Sequence, residues 1–232
     1  DLVGMTTSNT TAFAPEFTEL AEEAWERVGR EMRSGYDLRT ARRSMNLLTI
    51  EWQNRGLNLW TIDSGVVALQ PNVASYPLPA DTIDLLDQVI RTGAGNVSTQ
   101  SDLTISRMGP SEYASIPNKL TTGRPIKVWI DRQVANPVIT VWPIPSSADY
   151  TFAYWRMRRI QDAGSGVETP DVNFRFLPAL IAGLAYYIAI KVPEAVSRVD
   201  MLKQMYEESF ELAAAEDRIK TPARFVPRRY SI

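Results

Sequence analysis

FLPALIAGLAYYIAI, residues 176–190, is the most apolar stretch of this 232-residue chain, and its reading decides the fold. It is 15 residues long and carries Pro178. A helix that crosses a bilayer needs about 20 apolar residues, so the run reads as a helix buried in protein and no membrane is expected. Taken as Phe174–Lys191, the segment is apolar nearly all round, with small residues Ala179, Ala182, Gly183 and Ala185 interspersed. Such a helix must be covered on more than one side. Cover is expected from the rest of the chain or from a neighbouring subunit. The second source makes Ala179, Ala182 and Gly183 candidate subunit-interface residues.

Helical periodicity continues on either side of the chain. After the apolar run, residues 195–219 form an amphipathic pattern through Val199, Leu202, Tyr206 and Ala213, with Lys203/Glu207 and Glu216/Lys220 spaced for i,i+4 pairing on the wet face. Near the start, Pro15 suits a first helical turn, and Phe17, Leu20, Ala24, Val28 and Met32 recur every three or four residues. Gly35-Tyr36 is expected to break that helix and Asp37 to cap a second one. Its apolar face is Leu38, Ala41, Met45, Leu48 and Trp52, and Gly56 is its natural stop.

From residue 59 the period becomes strand-like. Val66–Leu69, Ile83–Arg91, Leu103–Arg107, Ile126–Ile130, Val138–Trp142 and Tyr150–Ile160 are β-branched or aromatic runs between turn residues, and Pro110–Ile116 reads as a short helix. Prolines 77, 79, 143 and 145 fall at strand ends, where a missing N–H is tolerated. The expected fold is α+β. Both ends of the chain, 15–57 and 170–220, form a four-helix bundle, with an antiparallel β-sandwich or barrel-like module, 58–169, inserted between them. Ala163–Pro170 serves as its linker, 1–14 is a flexible Thr/Ser/Ala-rich start, and 221–232 is an extended arm. Met5 reads as an alternative start, leaving Asp1–Gly4 upstream of it.

Composition narrows the chemistry. The net charge is -2, which offers no global basic field for nucleic acid. There are no cysteines and no histidines, so thiolate chemistry, disulfides and the commonest general base and metal ligand are all missing. No phosphate-binding glycine loop and no metal motif occurs, and no cofactor or metal is expected. Asp84 and Asp87 could in principle act as paired acids, but residues three apart on a strand point to opposite faces. Arg39, Arg42 and Arg43 suggest a DNA-reading helix, yet the preceding helix carries Glu16, Glu19, Glu22, Glu23 and Glu26, which repel phosphate.

Two basic segments remain. Arg156, Arg158 and Arg159 either form a solvated face or pair with acidic residues of a neighbouring subunit. The tail, TPARFVPRRYSI, places Arg224, Phe225, Arg228, Arg229 and Tyr230 on a proline-stiffened segment. It is read either as a frayed end or as a docking arm.

Several longer stretches carry a resemblance: RRSMNLLTIEWQNRGLNLWTID at 42–63, YPLPADTIDLLDQVIR at 76–91, EYASIPNKLTTGRPIKVWIDRQ at 112–133, WPIP at 142–145, YWRMRRIQDAG at 154–164 and RFLPALIAGLAYYIA at 175–189. Together they resemble the head-to-tail adaptor, or connector, proteins of tailed bacteriophages, especially podovirus-like ones. The resemblance implies a structural virion protein of the neck, assembled in the host cytoplasm as a dodecameric ring with no enzymatic activity. It implies docking on the portal protein through the C-terminal arm and on a tail nozzle or tail tube protein below. Viral genome DNA would pass through the channel with transient, nonspecific contact. A DNA-binding or packaging factor and a carboxylate-based tail hydrolase are the alternatives.

Overall fold

The computed structural model describes residues 7–57 and 59–217. In it the first helix, α1 (Phe17–Val28), buries Phe17, Leu20, Ala21, Ala24, Trp25 and Val28. It stops short of Met32 because Gly29 turns left-handed (φ 93°), and the N–H groups of Gly29 and Arg30 close the last turn on Glu26 and Trp25 carbonyls. The next helix, α2 (Gly35–Asn54), is capped by Ser34, whose hydroxyl accepts the Asp37 N–H. Asp37 was expected to be the cap. It lies instead in the first turn, where its carboxylate accepts the Arg33 N–H and its carbonyl accepts the Trp25 indole N–H.

After the strands and a short helix, α3 (Pro110–Ser115), the chain returns to α4 (Leu177–Ala189) and α5 (Val196–Glu216). Among the described residues, no single helix is long and apolar enough to cross a membrane. Helices α1, α2 and α5 all pack on α4, and Ala179, Leu180, Ala182, Leu184, Ala185 and Ile188 are buried there. Small residues let the neighbours come close: a Cβ on Gly183 would lie 2.8 Å from the Tyr206 ring and 2.9 Å from a Leu48 methyl. The cover that the sequence left open is therefore supplied by the same chain. Ala179, Ala182 and Gly183 are interior residues of this unit and not a face for a neighbouring subunit.

The two ends of the chain, up to Leu59 and from Gln161, make one compact unit, and Trp60–Ile160 makes another. Residues 161–169, expected to go with the β module, belong with the helices. The carbonyls of Glu168 and Gly166 accept the Phe17 and Thr18 N–H groups at 3.0 Å each, satisfying donors that the start of α1 leaves free. The Ala163 N–H donates to Asn46 at 2.9 Å.

Among the described residues the second unit has ten strands: β1 (Ile62–Ala68), β2 (Ser75–Pro77), β3 (Thr82–Thr92), β4 (Ser101–Thr104), β5 (Ser106–Met108), β6 (Thr122–Gly123), β7 (Lys127–Asp131), β8 (Val138–Trp142), β9 (Ile144–Pro145) and β10 (Tyr150–Arg158). One sheet runs β1-β10-β3-β4, a second β2-β8-β7-β5, and β6 pairs β9. Val128 and Ile130 of β7 are buried while Lys127, Trp129 and Asp131 are half-buried, the alternation read in the sequence. Side chains of both larger sheets enter one core, including Leu85, Ile90 and Phe152 from the first and Tyr76, Val128 and Ile139 from the second. Pairing is not antiparallel throughout. β5 runs parallel to β7 and β6 parallel to β9; the segment holding α3 supplies the long crossover for the first pair, and the β7–β8 hairpin supplies it for the second.

Candidate assembly surfaces

The arm residues Arg224, Phe225, Arg228, Arg229 and Tyr230 lie outside the described residues, as do Asp1–Gly4, Met5 and Lys220. The arginines of β10 are inside them, and their charges are met within the chain. Arg156 reaches Asp81 at 2.6 Å, the Thr82 hydroxyl at 2.8 Å and Asp63 at 3.5 Å, and Arg158 reaches Asp63 at 3.1 Å. Asp63 stands directly opposite Arg156 in the β1–β10 register, which delivers the pair. The Arg156 guanidinium holds the Asp81 carboxyl below its ordinary value. Arg159, the next residue after β10, is exposed, whereas Arg156 and Arg158 are half-buried. A neighbour's acids are not needed to balance Arg156 and Arg158, since the sheet register already places carboxylates beside them.

The helical unit contains a connected polar set on α2, α4 and α5 that the sequence reading did not single out. The Trp52 indole N–H donates to the Tyr206 hydroxyl at 2.9 Å, and that hydroxyl donates to Glu51 at 3.3 Å. Tyr187 also donates to Glu51. Arg55 forks onto Glu207 at 2.8 and 2.9 Å and pairs with Glu51 as well, so Glu207 is held by Arg55 where Lys203 was expected. Burial raises the pKa of both tyrosines, and the nearby Glu51 carboxylate raises them further. A cleft of about 500 Å³ opens over Glu51, Arg55, Tyr187 and Lys203. Arg55 holds the cleft's two carboxylates, and burial keeps the Tyr187 and Tyr206 phenols protonated near neutrality. The legible hint was Glu51 and Arg55 at i,i+4; their partners come from the other end of the chain.

Asp84 of the possible acid pair is held by Arg107 at 2.7 Å and Arg132 at 3.5 Å. No group of three or more potential metal ligands gathers among the described residues.

The outer faces of the first two helices differ sharply. Beyond Gly35, the exposed positions on α2 are Tyr36, Arg39, Arg43, Leu47, Ile50 and Asn54, a single stripe at helical spacing. Arg42 is not on it; it is half-buried and directed at the Ser165 carbonyl, so the three-arginine cluster read from the sequence is split. On α1 the exposed positions are Glu19, Glu22 and Glu26, with half-buried Glu23 paired to Arg27 at 2.9 Å.

The stripes on α1 and α2 combine charge with unburied apolar side chains, as surfaces that meet other proteins do. The comparison with known families points to a protein of that class. Residues 16–228 match the SU10 adaptor protein family, and the chain belongs to it. This is a phage adaptor family of structural proteins, whose members imply contact with other head and tail proteins, oligomerisation and a place in the neck of the virion. No curated protein matches the chain by sequence.

Proposed function

We propose that this protein is the head-to-tail adaptor of a podovirus-like phage. Copies of it close into a dodecameric ring between the portal protein and the tail nozzle, around a channel for the genome. The family match over residues 16–228 carries the reading. Two features support the finer part. The net charge of -2 suits a channel wall on which DNA slides without sticking, because stable binding needs clustered neutralisation of phosphates. The segment 221–232, with Arg224, Phe225, Arg228, Arg229 and Tyr230, has the arginine and aromatic content of interface anchors and would dock on the portal.

Class-averaged electron micrographs of the protein mixed with its portal test this. Twelvefold rings stacked on the portal are expected, and a chain lacking residues 221–232 should lose that stacking. A protein that forms no ring in any mixture would overturn the reading; undiminished docking of the truncated chain would remove the arm's role alone.

A further inference from the structure

We infer that the exposed face of α2 seats the acidic face of α1 from a second copy of this chain, forming a head-to-tail joint between neighbouring subunits. The inference rests on the ring reading above and adds which surfaces meet.

The α2 stripe is not an ordinary wet face. Tyr36, Leu47 and Ile50 are each more than half exposed, at 65%, 53% and 54%. Arg39 and Arg43 lie between them, and no carboxylate of the described residues pairs with either. Beside the stripe, a cleft of about 360 Å³ is lined by Arg30, Tyr36, Thr40, Arg43 and Lys191. Its one carboxylate, Asp37, is already engaged by the Arg33 N–H at 3.1 Å and by Arg30 at 3.8 Å. Among the described residues buried Thr40 Oγ1 has no hydrogen-bond partner, and Lys191 is held below its ordinary pKa by burial and then by the charge of Arg43. The region carries uncompensated positive charge.

The α1 stripe is its complement. Glu22 and Glu26 face solvent with no cation of the described residues paired to them. They are four residues apart, as are Arg39 and Arg43, so each pair spans about 6 Å along its helix and the two can meet in register. Direction follows from the order of the side chains. Along the chain, exposed Phe13 precedes the glutamates, whereas on α2 the arginines precede Leu47 and Ile50. Antiparallel alignment sets Glu26 against Arg39, Glu22 against Arg43 and Phe13 towards Ile50, while Glu19, which falls beside Leu47, keeps its carboxylate on the Glu16 N–H at 3.1 Å.

Charge selects which faces meet: two α2 faces repel each other, and so do two α1 faces, so the contact joins unlike faces. Used head to tail, such contacts build rings when the rotation closes, and the ring reading is what favours that arrangement over a reciprocal two-fold exchange.

Two charge reversals test the joint: Glu22→Lys with Glu26→Lys, and Arg39→Glu with Arg43→Glu. These positions are exposed, and circular dichroism checks that each chain is folded. Sedimentation velocity over a concentration series, with and without portal protein, reads association. Each reversed chain alone should associate more weakly than the unaltered one by more than about a hundredfold, since like charges then face each other. An equimolar mixture should recover to within about tenfold, because each reversed face meets its complement on the other chain.

Oligomers that survive both reversals, or a mixture that does not recover, would overturn the pairing and leave the ring reading standing. Loss of duplex DNA binding by the arginine reversal with association unchanged would assign the α2 face to nucleic acid instead. An unaltered chain that stays monomeric even with portal would overturn the ring reading together with this one.

Discussion

Replacing Gly183 with alanine adds one methyl group to the middle of α4, and two opposed effects set the result. Alanine is favoured over glycine inside a helix by about 1 kcal/mol. Against this, the new Cβ would lie 2.8 Å from Tyr206 Cε2 and 2.9 Å from Leu48 Cδ2, and overpacking a filled core costs about 1–3 kcal/mol. The outcome depends on which neighbour can give way. The Leu48 methyl ends a flexible side chain and can turn. Tyr206 is less free, because its hydroxyl accepts the buried Trp52 indole N–H at 2.9 Å. Breaking that bond would strand a buried donor at a cost of about 1–3 kcal/mol.

The steric cost therefore exceeds the helix gain, for a net loss of about 1–2 kcal/mol. Thermal unfolding followed by far-UV circular dichroism should show the helical transition falling by about 2–8 °C. In a Tyr206→Phe background the ring is released from Trp52, so the same glycine replacement should cost at least about 0.5 kcal/mol less. A helical midpoint that rises, with assembly impaired, would refute the core assignment and return Gly183 to a surface between subunits.

Two pH-dependent outcomes follow from the polar clusters. Tyr187 and Tyr206 have folded-state pKa values raised by burial above the ordinary value of 10.0. Their contribution to stability is thus complete below that value and is lost as pH rises through the folded one. Alkaline titration by phenolate absorbance should show both ionising after free tyrosine, together with loss of helical dichroism; ionisation alongside free tyrosine in a still-folded chain would contradict the network. Glu168 is pulled from 4.5 to about 2 by the Ser165 hydroxyl and by backbone N–H groups including those of Ser165 and Gly166. Its contribution is present above 4.5 and disappears as pH falls towards about 2. Glu168→Gln at neutral pH should speed hydrogen exchange at Ser165 and Gly166, as acidification should in the unaltered chain. Unchanged exchange would show that the carboxylate does not hold this turn.

Much of the fold was legible because it is written locally. Ala41, Met45, Leu48 and Trp52 occupy the buried face that their spacing predicts, and β8 coincides with Val138–Trp142. The end of α1 was not: the apolar spacing runs on to Met32 and Gly35-Tyr36 looks the stronger break, but Gly29 ends the helix directly after Val28. Nor were strands β2, β6 and β9. They are two or three residues long, contain or adjoin prolines in two cases, and exist only through partners distant in the chain. The ion pairs of β10 were hidden for a related reason. Periodicity shows that Arg156 and Arg158 share a face, but the register that sets Asp63 opposite them is a property of the folded sheet.

The apolar run at 176–190 marks the same division. Its length and composition alone determined a helix too short to span a bilayer and in need of cover on several sides. Only the tertiary structure decided that α1, α2 and α5 of the same chain supply that cover, making Ala179, Ala182 and Gly183 core and leaving the outer stripes of α1 and α2 facing solvent. Burial of apolar surface is non-directional: a sequence states how much surface must leave water, and the packing of distant segments settles what it meets.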